Sequence, residues 1–213
     1  MATLKGGYHL GDGTRVPSVT TVLSRFKDSG ALIRWAFNCG RDGIDMNAVK
    51  ERAADAGTLA HQWIDDHIHG RELAASTLDE EQTAQARNAF GQFLLWRERY
   101  KLEIHETELP LISEIHGFGG TFDAVTVDGK PAILDWKTSN AIYSDYLVQC
   151  AAYALLWEEN RDQPIDEVHI LRVSKDHADF EHRSFSGIAV QKHQFVLYVK
   201  AYALDKITAK RVR

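Results

Sequence analysis

The stretch KPAILDWKTSN, residues 130–140, sets a condition on any fold this chain can adopt. Ala132, Ile133, Leu134 and Trp136 give it the apolar character of a strand buried on both faces, which places it inside a sheet rather than at its edge. Asp135 and Lys137 interrupt that run. Charges are seldom buried unless paired or bound to a metal, because desolvation is costly or shifts the pKa. Side chains alternate along a strand, so these two emerge on one face, roughly 6–7 Å apart. The fold must bury this strand and still give both charges partners.

Around it the hydrophobic period changes once, near Tyr100. The opening GYHLGDGTRVP (7–17) reads as a small hairpin around Gly11-Asp12-Gly13, and Pro17-Ser18 starts a short helix through about Phe26. Helical stretches follow over about 31–39, 47–69 and 79–100. In the second of these Val49, Ala53, Ala56, Ala60, Trp63 and Ile64 form one stripe. After Tyr100, segments 102–112, 118–127 and 131–139 read as three successive strands. A helix at about 143–160, strands at 167–174 and 180–186, and a helix from Ile188 complete the chain. The expected fold class is α/β, a mixed sheet flanked by helices with a helical N-terminal region. Without a linker, repeat or low-complexity run, residues 1–213 read as one domain: a helical front part (1–100), a sheet core (101–187) and a C-terminal helix (188–213).

A second acid bears on the charged strand. Asp123, in GGTFDAV (119–125), lies on the preceding strand, joined through Asp128-Gly129. A two-residue loop would place Asp123 and Asp135 on opposite faces; an odd loop, with Gly129 left-handed, would place them on one. Asp-Gly suits either, so the register stays open at this level. Two adjacent carboxylates repel unless a cation joins them. Oxygen ligands suit Mg²⁺ or Mn²⁺, and a neighbouring lysine can orient a water or stabilise charge on a phosphate.

The net charge of −5 is not the basic footprint usual for nucleic-acid binders, although local charge matters more than the sum. The tail DKITAKRVR (205–213) is basic through Lys206, Lys210, Arg211 and Arg213, which reads first as a solvated helix end favoured by the helix dipole. Apolar runs fall far short of the ~20 residues of a membrane span, and the N-terminus lacks a signal-peptide layout. Two cysteines, Cys39 and Cys150, supply neither a disulfide framework nor a cysteine-rich metal site. A cytoplasmic, reducing location is expected, the host cytoplasm if the chain is phage-encoded.

The ordered motifs resemble the PD-(D/E)XK nucleases, specifically their RecB-like exonuclease branch. Gly57-Thr-Leu-Ala-His61 resembles the helical Gly-x-x-x-His motif. Glu108, fifteen residues before Asp123, matches the isolated glutamate, Gly120-Thr-Phe-Asp123 the Gly-x-x-Asp motif and Asp135-Trp-Lys137 the Asp-x-Lys motif. Gln149-Cys-Ala-Ala-Tyr153 is similar to the Gln-x-x-x-Tyr signature, and PSVTTVLSRF (17–26) with Leu32 and Trp35 resembles the front helices of phage exonucleases and the mitochondrial genome maintenance exonuclease. Each motif is weak alone; five in order on the expected elements are specific.

The resemblance implies a restriction-endonuclease-like core and a divalent-metal-dependent DNA exonuclease, of phage type or serving recombination and repair. Asp123 and Asp135 would hold the principal metal with the Trp136 backbone carbonyl, His61 would ligate from its helix, and Glu108 would serve a second metal or its waters. Lys137 would position or activate the attacking water, and Gln149 and Tyr153 would orient the DNA strand. Mg²⁺ or Mn²⁺ is the implied cofactor; two cysteines cannot hold the iron–sulfur cluster of a neighbouring branch. DNA is the implied partner, with no membrane, and with room for a homo-oligomer or for a recombination or single-strand-binding partner. A structure-specific endonuclease and an inactive DNA-binding module are the alternatives. Asp65, one turn after His61, could orient its imidazole; Glu106 rivals Glu108; Arg25, Lys27, Arg34 and Trp35 are further candidates for holding substrate.

Overall fold

A computed structural model describes residues 6–27 and 30–212. Arg213 of the basic tail lies outside the described residues. A two-stranded hairpin, β1 (Tyr8–His9) and β2 (Arg15–Val16), precedes helices α1 (Val19–Ser24), α2 (Gly30–Arg41), α3 (Met46–Ile68) and α4 (Glu80–Tyr100). Ser18, Asp45 and Asp79 cap α1, α3 and α4 by accepting backbone N–H groups of their first turns, the role these short oxygen side chains suit best. The sheet strands are β3 (Ile104–Ser113), β4 (Phe118–Asp128), β5 (Lys130–Lys137), β6 (Glu167–Val173) and β7 (Phe180–Ser186), with α5 (Ser144–Arg161) between β5 and β6 and α6 (Ala189–Arg211) last.

The five strands lie in sequence order, antiparallel except for the parallel β5–β6 pair that α5 connects. β5 is the middle strand, as its apolar run requires. Its two faces carry separate cores. On one, α1, α5 and α6 pack over Ile133, Val168 and Ile170; on the other, α3 and α4 pack over Leu134, Trp136, Leu171 and Val173. The sheet and its helical cover match the expected α/β architecture.

The open question of register is answered by the β4–β5 turn. Val127 pairs with Pro131 and Asp128 with Lys130, leaving Gly129 at φ 76°, so the loop is odd. The same register carried inward sets Asp123 opposite Asp135. Across β3–β4, Thr107 pairs with Ala124 and Leu109 with Phe122, so Glu108 stands opposite Asp123. Three acids therefore form one row across three adjacent strands. The row marks a fault in the pleat: Phe118 and Phe122 face α5, yet Ala124 faces α3–α4 and Val125 faces α5 again. Glu108 lies at φ 48°, the left-handed region that non-glycine residues rarely adopt.

Some expectations shift. The α3 stripe is buried from Ala56 onward, while Val49 and Ala53 are exposed. Cys39 and Cys150 are buried free thiols. Among the described residues no helix is long and apolar enough to cross a membrane.

Candidate active site

Two glycines seat the helices that reach the acidic row. At Gly57 on α3, a Cβ would lie 2.7 Å from Thr138 Oγ1 just beyond β5, so the close neighbour is a side chain rather than a backbone. At Gly120 on β4, a Cβ would lie 2.8 Å from the Tyr153 ring of α5. Each motif glycine thus admits one helix to one face of the sheet.

From α3, His61 reaches Asp123: its Nδ1 lies 3.6 Å from Asp123 Oδ1. The same Nδ1 accepts from the Trp136 indole N–H at 3.1 Å. Asp65 does not orient this imidazole; it accepts from the Thr107 hydroxyl at 2.7 Å and pairs with Arg71. Trp136, whose side chain sequence reasoning assigned to the core, does the orienting instead. Its backbone N–H donates to Asp123 Oδ2 at 2.9 Å, which fixes that carboxylate as well.

From β5, Lys137 Nζ lies 2.6 Å from Asp135 Oδ2. Tyr146 on α5, which no motif indicated, places its ring centroid 5.1 Å from the same ammonium. Gln149 Nε2 donates to the Tyr153 hydroxyl at 2.9 Å, and both side chains are buried. Glu106 leaves the contest with Glu108. The face exchange at Glu108 parts the two, and Glu106 pairs with Arg161 of α5 at 2.9 Å. Of the outlying candidates, Arg25 pairs with Asp205 and Lys27 with Asp145, while Arg34 is exposed and Trp35 half-buried.

His61, Glu108 and Asp123 each offer a ligand atom, all within 4.8 Å of one another. Asp135 stands beside this trio, held by Lys137. Burial drives the His61 pKa down, beyond what Asp123 restores, so the imidazole is neutral, the form that ligates once Nδ1 is released by the Trp136 indole. Burial raises Asp135 to about 7, opposed by Lys137 and reinforced by Asp123. Burial also works to raise Asp123, but His61 beside it, and Lys137 after it, hold it below the usual range. Burial disfavours the Lys137 ammonium, and the two aspartates outweigh it, keeping that amine protonated.

Buried polar atoms normally find partners. Asp123 Oδ1 and Asp135 Oδ1 are buried and accept no hydrogen bond. Hard oxygen donors beside a neutral imidazole fit a divalent cation.

A family model described as the PD-(D/E)XK nuclease superfamily matches residues 32–210, well over half of the chain. Among solved structures, a candidate exonuclease from Eubacterium rectale aligns with TM-score 0.50 at 14% identity, over 73% of this chain and 68% of its own. A phage-related exonuclease from Haemophilus somnus aligns with TM-score 0.40 at 13% identity, over 72% of this chain and 82% of its own. An alkaline exonuclease from Laribacter hongkongensis aligns with TM-score 0.37 at 12% identity, over 76% and 92%. At such identities the first shows a shared fold, and the other two are too distant to add to it. No curated protein matches the sequence.

Proposed function

This chain belongs to the PD-(D/E)XK nuclease superfamily, and from that premise we propose that it is a divalent-metal-dependent exonuclease hydrolysing phosphodiester bonds of DNA. One observation carries the reading: Glu108, Asp123 and Asp135 stand in a single row across three strands, with His61 and Lys137 beside them and two buried carboxylate oxygens accepting no hydrogen bond. The fold shared with the Eubacterium rectale protein, itself described as an exonuclease, supports the choice of reaction.

In this reading Asp123, Asp135, Glu108, His61 and the Trp136 carbonyl hold Mg²⁺ or Mn²⁺. When bound, the ion polarises the phosphate and lowers the pKa of a coordinated water. The protein's own groups do the rest. Lys137 stays protonated beside Asp135, so it donates to the attacking water or to a non-bridging phosphate oxygen. It stabilises charge and does not take the water's proton. Trp136 holds Asp123 through its backbone N–H, and its indole holds His61 by occupying the Nδ1 lone pair, a bond His61 would give up to ligate. Gln149 and Tyr153 back the row from α5 and position the strand.

End-labelled linear DNA and closed circular plasmid, each incubated with Mg²⁺, Mn²⁺ or chelator, test this directly. Label released from ends while circles stay intact is the expected result. Internal nicking of circles would convert the reading to an endonuclease, and no metal-dependent cleavage of either would remove it.

A further inference from the structure

The basic end of α6 lines a groove through Lys206 and Lys210. Two adjoining cavities, about 740 and 480 Å³, lie between the β1–β2 hairpin, α1 and α6. They share Thr21, Tyr202 and Lys206, so they form one continuous groove. Arg15 lines one end, Arg25 and Lys210 the other. Among the described residues the sole acid in the lining is Asp205, already paired with Arg25. The chain as a whole carries −5, so this groove is a local reversal of sign.

A chain of contacts leads from the Arg25 end of the groove towards Lys137. Phe26, next to Arg25, stacks on Tyr198 of α6 at 4.5 Å and anchors the end of α1 there. The following residue, Lys27, pairs with Asp145 at 2.6 Å and lies 6.0 Å from the centroid of the Tyr146 ring. That ring also faces the Lys137 ammonium. Cations thus succeed one another from Lys137 through Lys27 and Arg25 to Lys206, Lys210 and Arg15.

We propose that this groove is a track for the phosphodiester backbone of a nucleic-acid strand, guiding it to Lys137. Resting on the nuclease reading given above, it adds a path to that site. A polyanion suits the length of the groove and its run of like charge, where a single small anion would meet only one or two of these cations. Val199, Tyr202 and Ile207 give it an apolar floor on which bases can rest. Strands held without sequence preference use this combination of cationic groove and aromatic surface.

The test is binding in Ca²⁺, which separates affinity from cleavage, by fluorescence anisotropy of labelled single-stranded DNA across a salt series. Lys206 and Lys210 are exposed, so Lys206→Gln/Lys210→Gln keeps the fold. Each phosphate contact contributes about 0.7 to the slope of log K against log salt for single strands, so loss of two should flatten it by about 1.4. Oligonucleotides of roughly fifteen residues should show the loss. Those of about three, below the usual 4–16-nucleotide site size, should not. Lys206→Arg/Lys210→Arg should restore the slope, and Lys130→Gln, exposed at the β4–β5 turn, should leave it alone. An unchanged slope in the glutamine pair overturns the track, as does an equal change in Lys130→Gln. A protein that shows the slope effect but never cleaves would keep the track and lose the exonuclease.

Discussion

The two faces of the sheet meet the same row of acids with different chemistry. On the α5 face small side chains, Cys150, Ala151 and Ala154, pack with the rings of Tyr153 and Trp157, and Asp135 and Lys137 compensate each other inside it. On the α3–α4 face a chain of rings leads to the row. Trp96 and Phe93 lie 5.6 Å apart, and Phe93 and Trp136 5.8 Å, ending at the indole that holds His61. One face balances charge and the other fixes position. Asp123 belongs to both, because the pleat changes sides at its own residue.

The charge-balancing face should be the easier to break chemically. Lys137→Ala is expected to lower cleavage by about 10²–10³-fold while circular dichroism stays that of the parent, since loss of one positioned charge-stabilising donor costs on this order. Activity close to the parent's would take the lysine out of the mechanism. On the positional face, Trp136→Phe keeps most of the ring packing and deletes the N–H to His61. Because that N–H occupies the Nδ1 lone pair a metal would need, apparent metal affinity, read from activity against Mg²⁺ or Mn²⁺ concentration, should tighten. A weakened affinity would show that the indole orients His61 as a ligand and does not compete for it.

Paired glycine substitutions sharpen the same contrast. Gly120→Ala would press on the rigid Tyr153 ring and should cost about 1–3 kcal/mol, at about 2–4 °C of melting temperature per kcal/mol for a chain this size. Gly57→Ala meets only the Thr138 hydroxyl and gains about 1 kcal/mol of helix propensity. Its net effect should be the smaller. Equal melting temperatures for the two variants would contradict this account of how each helix is seated.

Far from the acids, His182 on β7 packs edge-on against Trp96 and Tyr100 and lies 3.1 Å from His169. Burial, with the neighbouring His169, lowers its pKa from 6.5 to about 4. The unfolded chain then binds the extra proton first, so stability falls as pH drops from 6.5 towards 4. His182→Phe should flatten that part of the melting profile, and an equally steep profile would place the acid sensitivity elsewhere.

Much of this was legible beforehand. Period and caps located the helices and strands, and the charged strand announced its central place. The register was not legible, because Asp128-Gly129 serves even and odd loops alike and only the folded turn reveals Gly129 as left-handed. Nor was the partner of His61. Helical spacing pointed to Asp65, one turn along, whereas the real contact spans 75 residues to Trp136. Tyr146 and the α1–α6 groove escaped for the same reason, since contacts between distant elements leave no local pattern. Glu106 and Glu108 looked equivalent by alternation until the backbone turned between them.

That turn has a further meaning. Holding a glutamate in the left-handed region costs about 1–3 kcal/mol, a strain glycine would not feel. Glu108→Gly should therefore relax β3 and raise the melting temperature while it impairs cleavage. At this position durability and turnover pull in opposite directions, and the natural residue sides with turnover.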